Sequence, residues 1–218
     1  MAKLKGFTLA EVLVTLGIIG VVASITMPTL VQNYQKKAFA TQLHKVYAEL
    51  SQALLKYQND RNAVNFGEAG LNSQEKMIAF LNEYLKVVQK CEAKATPCMA
   101  PSYRKLSGVN GFVATTSTNC FALASGASLC PRYSSNVMYF MVDVNGAHGP
   151  NVQGRDFFTL FVYRNGVIDD KVPDGVTTVP LTAAQRETQF QSGCLGSTGN
   201  DLHGCFGKLL NDGWEMTY

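Results

Sequence analysis

An uninterrupted apolar segment near the N-terminus constrains this chain more than any other feature. From Phe7 to Leu30 the sequence reads FTLAEVLVTLGIIGVVASITMPTL, 24 residues whose only charged side chain is that of Glu11. A helix of this length spans about 36 Å at about 1.5 Å per residue, whereas the apolar layer of a bilayer is about 30 Å thick. The sequence therefore predicts a helix that can cross a membrane.

The residues around this segment leave two interpretations open. A short basic leader with Lys3 and Lys5 precedes it. One interpretation is a secretory signal peptide, because Val21 and Ala23 satisfy the small-residue rule for cleavage before Ser24. The other is a membrane helix that the mature chain retains.

The acid inside the segment favours the retained helix. Placing a carboxylate in hydrocarbon costs about 2.5 kcal/mol or more unless the carboxylate finds a partner. A signal peptide that is removed after use has no reason to contain such a costly acid. We expect the partner of Glu11 to be a cation supplied by another copy of the same chain.

The residues that lead up to this acid resemble a known processing signal, the class III signal of type IV pilins and the related pseudopilins. They are Gly6, Phe7, Thr8, Leu9, Ala10 and Glu11. The resemblance implies that a prepilin peptidase cuts after Gly6, that the new N-terminal Phe7 is N-methylated, and that Glu11 is the fifth residue of the mature chain. It also implies that Pro28, which removes one intrahelical hydrogen bond, lies where the family's helix loosens during assembly.

An electrostatic assembly mechanism follows from the resemblance. Cleavage exposes an amine on Phe7 inside an apolar bundle, and Glu11 of a neighbouring subunit can pair with that amine. Removing one partner of a buried ion pair costs about 3 to 5 kcal/mol, because the other charge is left alone. We therefore expect the carboxylate to select the register of each added subunit.

Helical periodicity continues beyond the apolar segment. Apolar residues recur at spacings of three and four over residues 39–57, which is typical of an amphipathic helix. We expect this helix to end at about residue 58 and to pack on a sheet. A second helix is expected from about Ser73 to Lys90, with Asn72 as its cap and Glu75 completing a capping box.

The rest of the chain is rich in turns and predicts short strands. They are expected at Phe121–Ala124, Val137–Val144, Phe157–Tyr163 and Val176–Leu181. The expected fold class is α+β and pilin-like, with a long N-terminal helix (a membrane-spanning half and an amphipathic half) packed on an antiparallel β-sheet and with disulfide-stapled loops. The expected organisation is a leader peptide at 1–6, a transmembrane and assembly helix at 7–30, and a periplasmic or extracellular globular domain at 31–218.

Six cysteines, all beyond residue 90, predict disulfides and an oxidising compartment. They are Cys91, Cys98, Cys120, Cys130, Cys194 and Cys205. They include no Cys-x-x-Cys pair, so a structural zinc site is not expected. Of the fifteen pairings that sequence permits, we favour three local bridges, 91–98, 120–130 and 194–205, and the pilin resemblance supports the last. Free cysteines are the alternative.

The segment from Asp143 to Asp156 is the polar stretch that carries the candidate metal ligands. Asp143, Asn145, Asn151 and Asp156 carry the oxygen ligands that Ca²⁺ prefers, and some pseudopilins hold calcium in a surface loop. The spacing does not match the twelve-residue Ca²⁺ loop. The interpretation we favour is a long hairpin loop in which these side chains cap their own backbone, with no metal and no cofactor.

Composition excludes several function classes. Charged residues are 16% of the chain and the net charge is only +3, so nucleic acid is not an expected partner. His148 and His203 lie in glycine-rich loops without a nucleophile motif, and no loop has the pattern of a phosphate cradle. We expect no enzyme activity.

The sequence thus predicts a structural subunit of a type IV pilus-like filament. A pseudopilin of a type II secretion system or of a DNA-uptake system shares the same leader, and a secreted disulfide-bonded binding protein that begins at Ser24 is the remaining alternative. The expected partners are other copies or related pilins, a prepilin peptidase, an inner-membrane assembly platform, and the bilayer before assembly. The expected topology is a single-pass inner-membrane protein with a cytoplasmic N-terminus, followed by a periplasmic or surface filament.

Overall fold

The fold is that of a computed structural model, which describes residues 6–113, 118–134, 137–198 and 201–218. The leader lysines Lys3 and Lys5 lie outside the described residues. The chain divides into two compact units, one that ends at Ala38 and one that runs from Phe39 to Tyr218.

A single long helix, α1, runs from Leu9 to Asp60 and contains Pro28. It supplies the first unit and the beginning of the second. The expected end near residue 58 agrees with the structure to within two residues, which is the usual uncertainty of helix ends.

The second unit is built on a six-stranded antiparallel sheet, with the strand order β1-β4-β5-β6-β7-β8. The eight strands are β1 Val87–Cys91, β2 Ser102–Arg104, β3 Asn110–Val113, β4 Cys120–Leu123, β5 Ser128–Ser134, β6 Val137–Asp143, β7 Phe157–Val162 and β8 Ile168–Asp169. Strands β2 and β3 form a separate two-stranded hairpin. Strands β4 to β8 are sequential neighbours, so only β1 joins the sheet out of chain order.

The amphipathic part of α1 packs on this sheet, as the sequence predicts. Its buried stripe consists of Ala40, Leu43, Val46, Leu50, Ala53, Leu54 and Tyr57. These residues share one core with sheet residues such as Phe121, Phe140 and Leu160. The α+β fold class, a long helix over an antiparallel sheet, is therefore confirmed.

The centre of the sheet is buried on both faces. Along β6, Met138, Phe140 and Val142 belong to the core under α1, whereas Met141 belongs to a second cluster on the opposite face. Alternate residues of a strand point to opposite faces, so Asp143 falls on the second face, and it is fully buried there. A buried acid therefore stands at the start of the polar loop that follows β6.

The second predicted helix is shorter than expected. Helix α2 spans Gln74–Tyr84, and its cap is Ser73, whose side chain accepts a hydrogen bond from the Lys76 amide. The predicted continuation to Lys90 is wrong, because residues 87–91 form strand β1 and pair with β4. The β-branched residues Val87 and Val88 fit a strand better than a helix.

The predicted strand Val176–Leu181 is also wrong. The sheet ends instead with β8, which pairs with the end of β7. Residues 171–181 form no strand, and the segment contains Pro173 and Pro180, which cannot donate to a ladder. Its last residue is held by a side chain, since the Leu181 amide donates to Asp169 Oδ2 at 2.8 Å.

The three remaining predicted strands correspond to β4, β6 and β7. Five strands, β1, β2, β3, β5 and β8, were not predicted from the sequence, nor were two short C-terminal helices, α3 Ala183–Gln189 and α4 Cys205–Asn211. A π-helical turn at Phe190–Cys194 follows α3 directly.

Three disulfides join the favoured local pairs Cys91–Cys98, Cys120–Cys130 and Cys194–Cys205. No free cysteine is present among the described residues. The first two bridges flank the pairing of β1 with β4, where Cys91 lies opposite Cys120. The third links the π-helical turn to the start of α4.

Candidate functional site

The N-terminus of α1 is closed by a reciprocal pair of side chains. The Thr8 amide and the Thr8 hydroxyl both donate to Glu11 Oε2 at 2.8 Å, and the Glu11 amide donates to Thr8 Oγ1 at 3.3 Å. This is a capping box, in which a threonine and an acid three residues later satisfy each other's backbone amides. It places the single acid of the apolar segment on its first helical turn.

The apolar residues that follow are exposed. They include Leu13, Leu16, Ile18, Ile19, Val21, Ile25 and Leu30, each at least 60% accessible. Within the described part of the chain, α1 is the one helix long and apolar enough to cross a membrane, and its most apolar stretch is not buried by the protein. The first unit therefore offers a long apolar surface to lipid or to other helices.

Three hydroxyl groups of this segment are satisfied inside the helix. Thr15, Ser24 and Thr26 donate to backbone carbonyl oxygens three or four residues earlier, at 2.8 to 3.0 Å. Such internal hydrogen bonds let polar side chains enter a membrane helix without an unsatisfied donor. Pro28, which has no amide hydrogen, lies two residues beyond Thr26.

The acids of the 143–156 loop are bound by protein donors. Asp143 Oδ2 accepts the Tyr103 hydroxyl at 2.5 Å and Oδ1 accepts the Asn145 amide at 3.1 Å. Asp156 accepts the amides of Asn151 and Val152 at 2.6 and 2.7 Å. The two carboxyl groups thus accept hydrogen bonds from backbone amides of their own loop, and Asp143 also accepts one from Tyr103.

Burial changes the acidity of both groups. Burial raises the pKa of the Asp143 carboxyl to about 8, and the nearby Asp156 adds to the rise, while the Tyr103 hydroxyl opposes it. The pKa of Asp156 is raised as well, also because of burial. Both carboxyl groups therefore hold a proton up to a higher pH than a free aspartate does.

Two amide oxygens of the loop, Asn145 Oδ1 and Asn151 Oδ1, have no hydrogen-bond partner among the residues that the structure describes. Two carboxyl groups and two amide oxygens offer at most six oxygens, the lower end of the six to eight that Ca²⁺ takes. Among the described residues, no group of three or more His, Cys, Asp or Glu side chains could hold a metal ion.

A buried lysine holds the C-terminal disulfide loop. Lys105 is 1% exposed, and its Nζ donates to the carbonyl oxygens of Gly193 at 2.5 Å and Thr198 at 2.8 Å. The side-chain amide of Gln153 reaches the other side of the same loop, donating to the carbonyl oxygens of Asp201 and His203. The loop between Cys194 and Cys205 is therefore fastened by side chains as well as by its disulfide.

Gly154 shows how closely the polar loop approaches this disulfide. Its φ is +87°, and a Cβ added there would lie 3.1 Å from Cys205 Sγ and 3.2 Å from Cys194 Sγ. Only glycine combines this backbone conformation with this space. The disulfide and the polar loop were each predicted from the sequence, but no sequence signal indicated that they lie against each other.

Two adjacent acids after β8 organise the C-terminal helices. Asp169 binds Arg186 of α3, and Asp170 accepts the amides of Gly204 and Gly207 at the start of α4, at 2.7 and 2.6 Å. Burial raises the pKa of Asp170 to about 6. Sequence analysis did not single out either acid, because nothing local indicates that an acid pair is buried.

The histidines show no catalytic arrangement in the described residues. His148 contacts the Asn145 carbonyl oxygen through Nδ1 at 3.0 Å. Burial and the neighbouring Lys171 and Lys105 lower the pKa of His203 to about 4, so it is neutral at physiological pH.

The fold is thus a long N-terminal helix, apolar and exposed in its first part, whose later part covers an antiparallel sheet with stapled loops. Residues 1–27 match the family model described as the prokaryotic N-terminal methylation motif. The chain therefore carries the N-terminal signal of type IV pilins and pseudopilins, proteins with a structural role in filaments. No curated protein and no solved structure matches the chain.

Proposed function

We propose that this chain is the precursor of a subunit of a type IV pilus-like filament. In this proposal it is cleaved after Gly6, N-methylated at Phe7 and polymerised through its N-terminal helix. The observation that carries the proposal is the methylation motif at residues 1–27, joined to an exposed apolar helical segment, residues 7–30, whose only acid is Glu11. A pseudopilin of a secretion or DNA-uptake system would use the same steps.

Before assembly the apolar part of α1 would anchor the chain in the inner membrane, with the N-terminus in the cytoplasm. Its exposed aliphatic residues match the hydrocarbon layer in length and polarity. The hydroxyl groups of Thr15, Ser24 and Thr26 are satisfied internally. On entry into a filament the same surface would exchange lipid for the helices of neighbouring subunits, with little change in polarity.

The capping box gives Glu11 a defined role in that exchange. Both hydrogen bonds from Thr8 end on Oε2, and an ionised carboxylate has about four acceptor sites on its two oxygens. Glu11 can therefore cap its own helix and still accept the cleaved amine of Phe7 from a neighbouring subunit. The mature N-terminal amine needs such a partner in an apolar bundle, because an unpaired buried charge is costly.

The globular unit would act as a structural and interaction domain without a cofactor. The 143–156 loop supports this part of the proposal, since its two acids are engaged by backbone amides and by Tyr103. The partners proposed are other copies of the chain or related pilins, a prepilin peptidase and an inner-membrane assembly platform.

The test is intact mass measured on sheared surface material and on membranes from cells that express the native assembly apparatus. We expect a chain that lacks residues 1–6, carries one methyl group and gains six hydrogens on reduction of its three disulfides. Abundance in the sheared material supports a pilus subunit, whereas confinement of the same species to membranes supports a pseudopilin. A soluble chain that begins at Ser24 would overturn the proposal.

A further inference from the structure

The second unit carries a groove of about 490 Å³ that none of the roles described above uses. One wall is a face of α1 that presents Lys45, Glu49 and Lys56. The facing wall is formed by Tyr84 to Lys86, between α2 and β1, and by the turn between β4 and β5. Leu85 and Leu123 contribute apolar surface.

The charges of this groove are unbalanced. Three lysines, Lys45, Lys56 and Lys86, face one acid, Glu49. Lys56 is already paired, since its Nζ lies 2.6 Å from Asp60 Oδ2. Lys45 and Lys86 are exposed and make no ion pair within the described ranges. The groove therefore presents two lysines without an ion pair in the described part of the chain, against the single acid Glu49, beside apolar surface.

In a helical filament of identical subunits, a positively charged groove can form one side of a contact between copies. Open filaments are built from heterologous contacts, in which one patch of a subunit meets a different patch of the next. A positive groove then calls for a negative element elsewhere on the same chain, and electrostatic complementarity fixes the register of such contacts.

Few acids of the second unit are available for this contact. Asp143, Asp156, Asp169 and Asp170 are buried, and Asp60, Glu83, Glu187 and Asp212 are paired with lysine or arginine. Glu68 caps the amide of Val64, and Glu75 interacts with Ser73.

Asp174 is an available acid in an exposed turn. The turn lies in segment 171–181, which has no helix or strand, and is closed by a hydrogen bond of 3.1 Å from the Val176 amide to the Pro173 carbonyl oxygen. Gly175 completes the turn with a φ of +80°. The Asp174 carboxylate makes no ion pair or hydrogen bond within the described residues.

The other exposed acids fit less well. Glu215 stands between Trp214 and Met216, which both pack against the core, so its backbone is held on the body of the unit. Glu92 follows β1 directly and lies in the short loop closed by Cys91 and Cys98. A turn that carries its acid in a segment without helix or strand is better able to enter a groove.

From these observations we infer that the Lys45 and Lys86 groove of one copy receives the Asp174 turn of the next copy in the filament. The inference rests on the proposed function, because it needs repeated contacts between copies. It adds a specific charged contact between globular units to the contacts made by the N-terminal helices.

Charge reversal tests the inference in cells that assemble the filament. We expect Lys86→Glu and Asp174→Lys each to lower the yield of sheared filament about fivefold, which corresponds to about 1 kcal/mol per contact at 1.4 kcal/mol per tenfold. The double variant Lys86→Glu with Asp174→Lys restores the opposite charges and should recover most of the yield. Lys76→Glu and Glu92→Lys, at exposed positions outside the groove, are the matched controls and should assemble normally.

Cysteine crosslinking gives an independent readout on assembled material. The variant Lys86→Cys with Asp174→Cys should form covalent dimers and longer ladders in sheared filaments, whereas Lys86→Cys with Glu215→Cys should not. Normal filament yield from both single charge reversals, or filaments without crosslinks between positions 86 and 174, would overturn the inference and leave the proposed function intact. Failure of the unaltered chain to enter any filament would overturn both.

Discussion

Arg186 donates two parallel hydrogen bonds to the buried carboxylate of Asp169. Its Nε lies 2.8 Å from Oδ1 and its Nη2 lies 2.8 Å from Oδ2, and the Asp169 side chain is fully buried. This bidentate geometry joins α3 to the end of β8. The same carboxylate accepts the amide of Leu181, so it also fixes the segment between the sheet and the helix.

Removing the arginine should therefore destabilise the second unit. We expect Arg186→Ala to lower the free energy of unfolding by about 3 to 5 kcal/mol, because Asp169 would remain buried without its counter-ion. Fluorescence of Trp214, the only tryptophan, reports unfolding of the detergent-solubilised full chain. Arg104→Ala, an exposed arginine on β2, should change stability by less than about 0.5 kcal/mol; equal effects of the two variants would contradict the role of Asp169.

Loss of the charge at position 11 should separate membrane insertion from assembly. We expect Glu11→Gln to be inserted and cleaved normally but to reduce the yield of sheared filament about tenfold or more, since an unpaired Phe7 amine is costly in an apolar bundle. Immunoblots of membrane and sheared fractions measure both steps. Thr15→Val, which removes a hydroxyl that bonds only to its own helix, is the control. Normal filament yield from Glu11→Gln would remove the proposed role.

The buried carboxyl of Asp143 should make the second unit less stable at alkaline pH. Its pKa of about 8 in the folded chain is raised from 3.8, so the folded chain holds a proton that the unfolded chain has already released. Stability then falls as the pH rises toward 8 and levels off above it. His203 acts in the opposite sense, but only between about pH 4 and 6.5.

Between pH 6.5 and 8, above the range in which His203 contributes, we expect a loss of about 1 to 2 kcal/mol from Asp143. Asp143→Asn, which resembles the protonated acid, should remove most of this dependence, whereas Asp174→Asn at an exposed position should retain it. Thermal unfolding followed by tryptophan fluorescence across the window is the measurement. A slope that is unchanged in Asp143→Asn would assign the effect to another group.

Lys105 should hold the C-terminal disulfide loop in place. We expect Lys105→Met to cost about 1 to 3 kcal/mol, because the buried carbonyl oxygen of Gly193 and that of Thr198 lose their donor. Limited proteolysis with mapping of the cut sites should show faster cleavage within residues 195–204. The exposed Lys94→Met is the control, and equal protection of the loop in both variants would show that the disulfide alone is sufficient.

Calcium should leave the 143–156 loop unchanged if the loop is the self-capped turn that we propose. We expect the same unfolding temperature in excess Ca²⁺ and in a chelator. A bound ion at a hundred times its dissociation constant would add about 2.7 kcal/mol, which this comparison would detect. Stabilisation by Ca²⁺ that disappears in Asp156→Asn would establish a calcium site.

The sequence predicted the elements whose signals are local. The apolar run to Leu30 and the stripe that continues to Tyr57 are long and periodic, so α1 was predicted nearly to its end. Strands β4, β6 and β7 were predicted because each is a dense apolar run between turn residues. The three cysteine pairs are close in sequence, so the favoured local bridges needed no knowledge of the fold.

The errors arose where distant contacts decide. Leu85 and Val88 lie at helical spacing after Leu81, and the strand at residues 87–91 is decided by its pairing with β4. The residues that fasten the C-terminal region, Lys105, Asp169 and Asp170, are charged side chains that sequence patterns place on the surface. Their burial depends on partners 17 to 93 residues away, which no local window contains.

The three disulfides join cysteines separated by only 7, 10 and 11 residues. Each cysteine therefore has its proper partner close at hand from the moment the segment is synthesised, and no bridge must wait for distant parts of the chain to meet. The bridges can therefore close in any order, and each one constrains only its own short stretch of chain.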